Sequence, residues 1–147
     1  MNSSELLKLE NQLCFSLYAS SRAITRMYRP FLEELGITYP QYLVLLVLWD
    51  QKESTVKELS EKLDLDSGTL TPMLKRMEVQ QLVQRKRSVE DERVVNIVIT
   101  ETGLALYEKA LCIPQTLLAS SGLAPEEIHT FNLQLKRIIN SVNASTK

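Results

Sequence analysis

Histidine, cysteine and glycine are scarce in this 147-residue chain, with one, two and four copies respectively. One histidine and two distant cysteines give no His/Cys/carboxylate cluster at metal-ligand spacing, and the scattered glycines form no loop able to cradle a nucleotide. No metal and no cofactor are therefore expected, and an enzyme is a poor reading. His129 falls in the polar start of the last helical segment, where a solvated surface residue is expected rather than a base or ligand. Two cysteines far apart do not make a disulfide framework, so a reducing cytoplasm is the expected compartment. Long apolar runs are also missing. The longest, Tyr42 to Trp49, is far below the roughly 20 residues a membrane-spanning helix needs. It fits a helix buried on all sides, and no membrane partner is expected. The opening Met-Asn-Ser-Ser-Glu has neither a cationic nor an apolar leader region, which argues against secretion. No internal repeat and no low-complexity segment is present.

What is present suits one compact domain with a proper core: 44% of residues are apolar and 24% charged, both ordinary values for a globular chain. A long helical pattern runs from about Glu5 to Leu35, with Leu6, Leu9, Leu13, Leu17 and Ile24 at helical spacing, Pro30 bending its last turns and Gly36 ending it. Thr38 and Pro40 read as a cap and an early-turn proline opening the helix of Leu43, Leu46 and Trp49. Thr55-Val56-Lys57-Glu58 reads as a capping box that opens a short helix ending near Leu63. Thr100 caps a further helix to about Ser120, kinked at Pro114; Gly122 stops it, and Pro125-Glu126-Glu127 starts the last one. The expected fold is mainly α, with about six helices and one hairpin.

The segment from Leu63 to Thr100 is the most informative. Asp66 is placed to cap a helix in which Leu70, Met73, Leu74 and Met77 share one apolar face. The other face carries the hydroxyls of Ser67, Thr69 and Thr71 first, then Lys75 and Arg76. Pro72 lacks an amide donor and should distort the helix locally. Val83 to Arg87 and Arg93 to Ile99 are rich in β-branched residues and long cations, and Ser88 to Glu92 joins them as a polar loop, which makes a hairpin. Between Ser67 and Val89, Lys75, Arg76, Arg85, Lys86 and Arg87 face a single acid, Glu78. That local excess of cations outweighs the overall formal charge of −1, because phosphate contacts depend on where cations are presented. A short helix, a second helix with hydroxyls at its N-terminus and a basic hairpin are together the DNA-reading half of a winged helix-turn-helix. The apolar helical ends on either side lack partners within such a unit, and dimerisation would bury them.

These residues resemble a known family. The run LDSGTLTPMLKRME, the wing sequence Asp91-Glu92-Arg93, and the upstream LENQLCFSLYASSR and ITYPQYLVLLVLWD look like the MarR family of bacterial repressors, and more narrowly its organic-hydroperoxide-sensing (OhrR) branch. The likeness covers about Lys8 to about Ile139. It implies an intertwined homodimer built from the first and last two helices, about 5–35 and 101–143, around a winged region of about 38–100. It implies a pseudo-palindromic duplex operator as partner, with Arg93 either inserted in a groove or paired with Asp91 at the wing tip, and Arg85, Lys86 and Arg87 on phosphates.

In the residues alone, Cys14 lies on an apolar helix with no Lys, Arg or His one turn away, and Tyr18 is the only polar aromatic on its face. The resemblance makes Cys14 the peroxide sensor, with Tyr28 and Tyr39 of the partner subunit donating hydrogen bonds to it. Such bonds favour a thiolate over a thiol. An organic hydroperoxide would oxidise it to a sulfenic acid that condenses with another thiol, and the operator would be released. Apolar neighbours Phe15, Leu17, Leu43 and Leu46 would favour peroxides with apolar tails. Two-cysteine members of the branch carry a resolving cysteine after the proline of the penultimate helix, a place near Ala119 here. Cys112 precedes Pro114, about 10 Å earlier along the axis. The chain is therefore placed in the one-cysteine class, its sulfenic acid capped by a low-molecular-weight thiol, with Cys112 of the partner as the competing resolver. Two other readings remain: a related repressor released by a planar phenolic ligand, and a winged helix that binds protein rather than DNA; a thiol peroxidase, the enzyme reading, is a poor one.

Overall fold

A computed structural model describes residues 2–146. The chain forms two compact units, one up to Ala110 and one from Leu111 onward. The first contains α1 (Ser3–Leu6), a 3-10 turn (Leu9–Asn11), α2 (Leu13–Leu35), α3 (Tyr39–Gln51), β1 (Glu53–Thr55), α4 (Val56–Leu63), α5 (Ser67–Val79), β2 (Val83–Arg87), β3 (Val95–Ile99) and α6 (Glu101–Ala110). The second contains α7 (Cys112–Ser121) and α8 (Pro125–Ser145). Among the described residues, seven helices have eight residues or more, against the six expected, and no single helix is long and apolar enough to cross a membrane.

Helix ends follow local chemistry. Gly36 stops α2 at φ 72°, with the Ile37 amide reaching back to the Leu32 carbonyl. The same geometry stops α4 at Asp64 (φ 53°, Leu65 N to Ser60 O) and α5 at Gln81 (φ 67°, Leu82 N to Met77 O), neither of them a glycine. Thr38 opens α3 as expected, and Gln41 completes a capping box with it. Asp66 caps α5 through the Thr69 amide at 2.7 Å, and Gly122 ends α7 in the left-handed region.

Several expectations are corrected. The first long helix starts at Leu13, not near Glu5; the segment before it folds into α1 and the 3-10 turn, where the Asn11 and Gln12 side chains donate to the carbonyls of Glu5 and Leu6. At Thr55 only half of the capping box forms: its hydroxyl takes the Glu58 amide, but the Glu58 carboxylate accepts the Ser54 hydroxyl instead. By contrast, α5 continues as one helix across Pro72, as read from the sequence. The single helix expected from Thr100 to Ser120 is split at Leu111, because Pro114 has no N–H for the Ala110 carbonyl and its ring crowds that oxygen. The run Tyr42 to Trp49 is not buried all round: Tyr42, Val44, Leu45, Leu48 and Trp49 are core, while Leu46 is 43% exposed.

The sheet has three strands in the order β1-β3-β2, all antiparallel, so the hairpin is extended by β1, which pairs Ser54 with Ile97. β3 begins at Val95, so Arg93 and Val94 belong to the turn rather than the strand. The core of this unit joins Leu59, Leu70, Leu74 and Met77 with Val44, Leu45, Leu48, Val83 and Ile97, all essentially inaccessible.

Candidate nucleic-acid interface and thiol site

Burying one face of α5 leaves Ser67, Gly68, Thr69, Lys75 and Arg76 exposed on the other. Ser67, Thr71 and Lys75 line a groove whose opposite wall is the wing, with Arg85, Arg87 and Arg93. α4 closes it with Thr55, Lys57 and Ser60, residues that the sequence reading assigned no site role; the helix start at Thr55 was their only signal. The period of two along β2 sets the wing's polarity: Val83, Arg85 and Arg87 share one face, and Lys86 points with Gln84 to the other. Lys86 therefore does not share the groove. Arg76 lies instead beside Gly36, Thr38, Gln41 and Gln80, and Thr69 sits exposed at the cap, its amide held by Asp66.

Glu58 and Glu61 also line the groove, and Glu78, the single acid between Ser67 and Val89, is already engaged. Glu78 accepts the Arg85 amide at 3.0 Å and faces its guanidinium at 4.0 Å, tying the end of α5 to the wing root. At the tip, Asp91 accepts the amide of Arg93 at 3.0 Å, its Nε at 3.2 Å and its Nη2 at 3.4 Å. The Arg93 amide and then its guanidinium hold the Asp91 carboxyl below the usual carboxylate range. The Arg93 side chain is nevertheless 91% exposed, and the pair itself adds little stability. Its effect is to fix where a cation projects. Arg87 Nη1 donates to the Glu92 carbonyl at 2.9 Å and Ser88 Oγ accepts the amides of Glu90 and Asp91, so the turn is held from both sides.

Cys14 is the second residue of α2 and is exposed, as are its neighbours Leu13 and Phe15. Tyr18, one turn on, is 61% exposed and carries the Arg22 guanidinium 5.3 Å from its ring centre. Tyr28 and Tyr39 pack together with centroids 6.2 Å apart, and Tyr42 joins both at 6.4 and 6.1 Å. Burial, then the neighbouring Tyr39, push the Tyr28 phenol above its ordinary pKa, which keeps it a neutral O–H donor. Cys14 and Tyr28 are fourteen residues apart on one unbroken helix, about 21 Å. A chain cannot bring its own Tyr28 to its own Cys14. In the second unit Cys112 is half-buried at the start of α7, and Ala119 is seven residues along the same helix; His129 is exposed on α8.

Residues 26–110 match the family described as transcriptional regulator SarA/Rot. The chain is 54% identical to the organic hydroperoxide resistance transcriptional regulator of Bacillus subtilis (strain 168), over 97% of each chain. The chain belongs to the MarR family of transcriptional regulators. Within it, the chain falls in the organic-hydroperoxide-regulator branch and has the winged helix-turn-helix fold. Reduced AbfR of Staphylococcus epidermidis, solved bound to DNA, superimposes with a TM-score of 0.77 at 38% identity, over 96% of this chain and 99% of that one. A disulfide-formed AbfR is 40% identical, with a TM-score of 0.63 over 92% and 96%. In this MarR-family chain the groove between α5 and the wing is the DNA-facing candidate, and the exposed thiol of Cys14 the redox candidate.

Proposed function

We propose that this chain is a DNA-binding repressor that senses organic hydroperoxides by oxidation of Cys14 and then releases its operator. The observation that carries the reading is the placement of an exposed thiol among apolar residues, out of reach of a tyrosine pair packed elsewhere on the same chain. A homodimer resolves this by bringing the partner's tyrosines to each thiol. Exposed Leu13, Phe15 and Tyr18 on α2 and Phe131, Ile139 and Val142 on α8 supply apolar surface for such an assembly. A two-fold dimer also presents two α5 helices to successive major grooves, about 34 Å apart, on a pseudo-palindromic site. Ser67, Thr71 and Lys75 would meet bases and phosphates there, with Arg93 and Arg87 along the minor groove and Arg85 holding the wing. Lys86 on the far strand face and Thr69 and Arg76 beyond the groove would be left phosphate contacts.

The chemistry balances without a cofactor. The Cys14 thiolate attacks the terminal oxygen of the hydroperoxide, the O–O bond breaks, and the leaving alkoxide takes a proton to become an alcohol. The sulfenic acid then condenses with a low-molecular-weight thiol, losing water and leaving a mixed disulfide. Phe15 and Leu17, one and three residues beyond Cys14 on α2, favour an oxidant with an apolar tail. The added bulk displaces the partner tyrosines and changes the separation of the two reading heads. A second reading, in which Cys112 of the partner captures the sulfenic acid, is favoured by the disulfide form known for the 40%-identical AbfR.

A mobility-shift titration on the chain's own upstream DNA, with and without cumene hydroperoxide plus cysteine, tests both. Release by peroxide in the absence of any ligand is the expected result. Release by a phenolic ligand alone would favour the ligand-gated repressor, and failure to bind any duplex would favour a protein-interaction module. Multiple-turnover consumption of peroxide with a reductant would favour a thiol peroxidase. A covalent dimer on a non-reducing gel, abolished by Cys112→Ser, would assign Cys112 as the resolver.

A further inference from the structure

The turn that carries Tyr39 is tied to the far end of α5 by a single side chain. Gln80, the residue that caps the C-terminus of α5, accepts the Gln41 side-chain amide at 3.2 Å through Oε1 and donates through Nε2 to the Gly36 carbonyl at 2.9 Å. One carboxamide thus bridges both sides of the α2–α3 turn, three residues before Tyr39 and two after it. The turn is itself stiff. The Gln41 carboxamide oxygen takes the Thr38 amide at 3.1 Å, the Gln41 amide reaches the Thr38 hydroxyl, and Pro40 fixes the backbone between them. Gln41 is only 5% exposed, and its buried carboxamide is satisfied only while the turn and Gln80 stay in register. Tyr39 is the first residue of α3 after this turn, and Tyr28, about two turns before the end of α2, packs on it.

We infer that Gln41 and Gln80 are positioning residues that couple the tyrosine pair to the reading helix, so that displacement of Tyr39 pulls on the C-terminal end of α5. This rests on the proposed sensing by Cys14, and adds the route by which it reaches DNA. A merely local role for Gln80, as the partner of a free helix-end carbonyl, would affect folding but not the response to oxidation.

The test is the ratio of operator dissociation constants between oxidised and reduced protein. It is measured by fluorescence anisotropy on a duplex selected with the reduced wild type, with Cys14 oxidation by cumene hydroperoxide and cysteine verified by intact mass. Methionine keeps the length of glutamine and removes both hydrogen-bonding groups. In Gln80→Met the ratio should fall at least about fivefold below that of the wild type, within the range of ordinary coupling energies. Gln41→Met should do the same, and the double variant should be no worse than either alone, as expected of one shared link. If Gln80→Met binds too weakly to measure, Gln41→Met, which leaves the Gly36 bond in place, supplies the ratio. A wild-type ratio in both variants, whatever their reduced-state affinity, overturns the coupling role while sensing stands. Wild-type protein that keeps its operator after verified oxidation overturns the sensing reading, and this role with it.

Discussion

The half of the molecule proposed to face DNA and its thiol-bearing end are built on opposite terms. Around α5 every local device closes within one chain: Asp66 caps the helix, Leu70, Leu74 and Met77 are fully buried, Glu78 ties the wing root and Asp91 fixes Arg93. At the start of α2, Cys14, Phe15 and Tyr18 stand exposed on a helix whose apolar face has no cover there. The candidate reading surface is complete in the monomer; the proposed sensing site is not. A single chain thus has the groove but lacks the environment that would make its thiol selective.

The largest way to separate the two halves is Cys14→Ser. Operator binding should remain, because no part of the groove changes, while release by organic hydroperoxide should vanish in a mobility-shift assay. Persistent release would move the role to Cys112 or a methionine. Next comes the interior that positions the groove. Leu74→Ala should cost roughly 2–5 kcal/mol in chemical denaturation, because the side chain is completely buried. Thr69→Ala, on the exposed face, should leave the melting temperature unchanged, and the opposite pattern would mean that α5 buries another face.

Gly103 provides a sharper test of the junction between wing and α6. A Cβ there would lie 2.4 Å from the Leu82 carbonyl oxygen and 2.8 Å from Ile99 Cγ1. The Gly103 carbonyl also accepts the buried Trp49 Nε1 at 2.9 Å. Gly103→Ala should destabilise by about 1–3 kcal/mol through this clash, measured by denaturant midpoint. Arg93→Ala should weaken operator binding by about 1–3 kcal/mol without unfolding the protein, and equal affinities at moderate salt would remove Arg93 from the interface. The smallest expected effect is at the tyrosines. Tyr28→Phe should slow alkylation of Cys14 near neutral pH several-fold only if the partner's phenol reaches the thiol. The same variant has a pH signature. The folded-state pKa of Tyr28 is raised, so its contribution is fully present below the ordinary tyrosine value and declines as pH rises through the folded value. Alkaline unfolding curves of Tyr28→Phe should lack that decline.

Caps and periodicity made much of this legible. Thr38, Asp66, Gly36 and Gly122 do what their residue types dictate, and the spacing of Leu70, Met73, Leu74 and Met77 identifies the buried face of α5. The misses have physical causes. Three-residue β1 is too short to show alternation and exists because β3 offers it an edge; Asp64 and Gln81 end helices in a conformation that residue type alone assigns to glycine. The break at Leu111 sits three residues ahead of Pro114, where the missing donor acts on a carbonyl four positions back rather than at the proline itself.

By itself the sequence determined the winged-helix order, the capped reading helix with its hydroxyl face, the local excess of cations and the presence of a thiol on an apolar helix, because all of these depend on neighbours within a turn or two. Only the tertiary structure decided which cations share a groove. Arg85, Arg87 and Arg93 face α5 while Lys86 turns away, since strand pairing and the pleat set side-chain direction. It alone also joined Gln80 to Gly36 and Gln41 across about forty residues of chain, because a carboxamide finds its partners by position in space and leaves no periodic mark in the sequence.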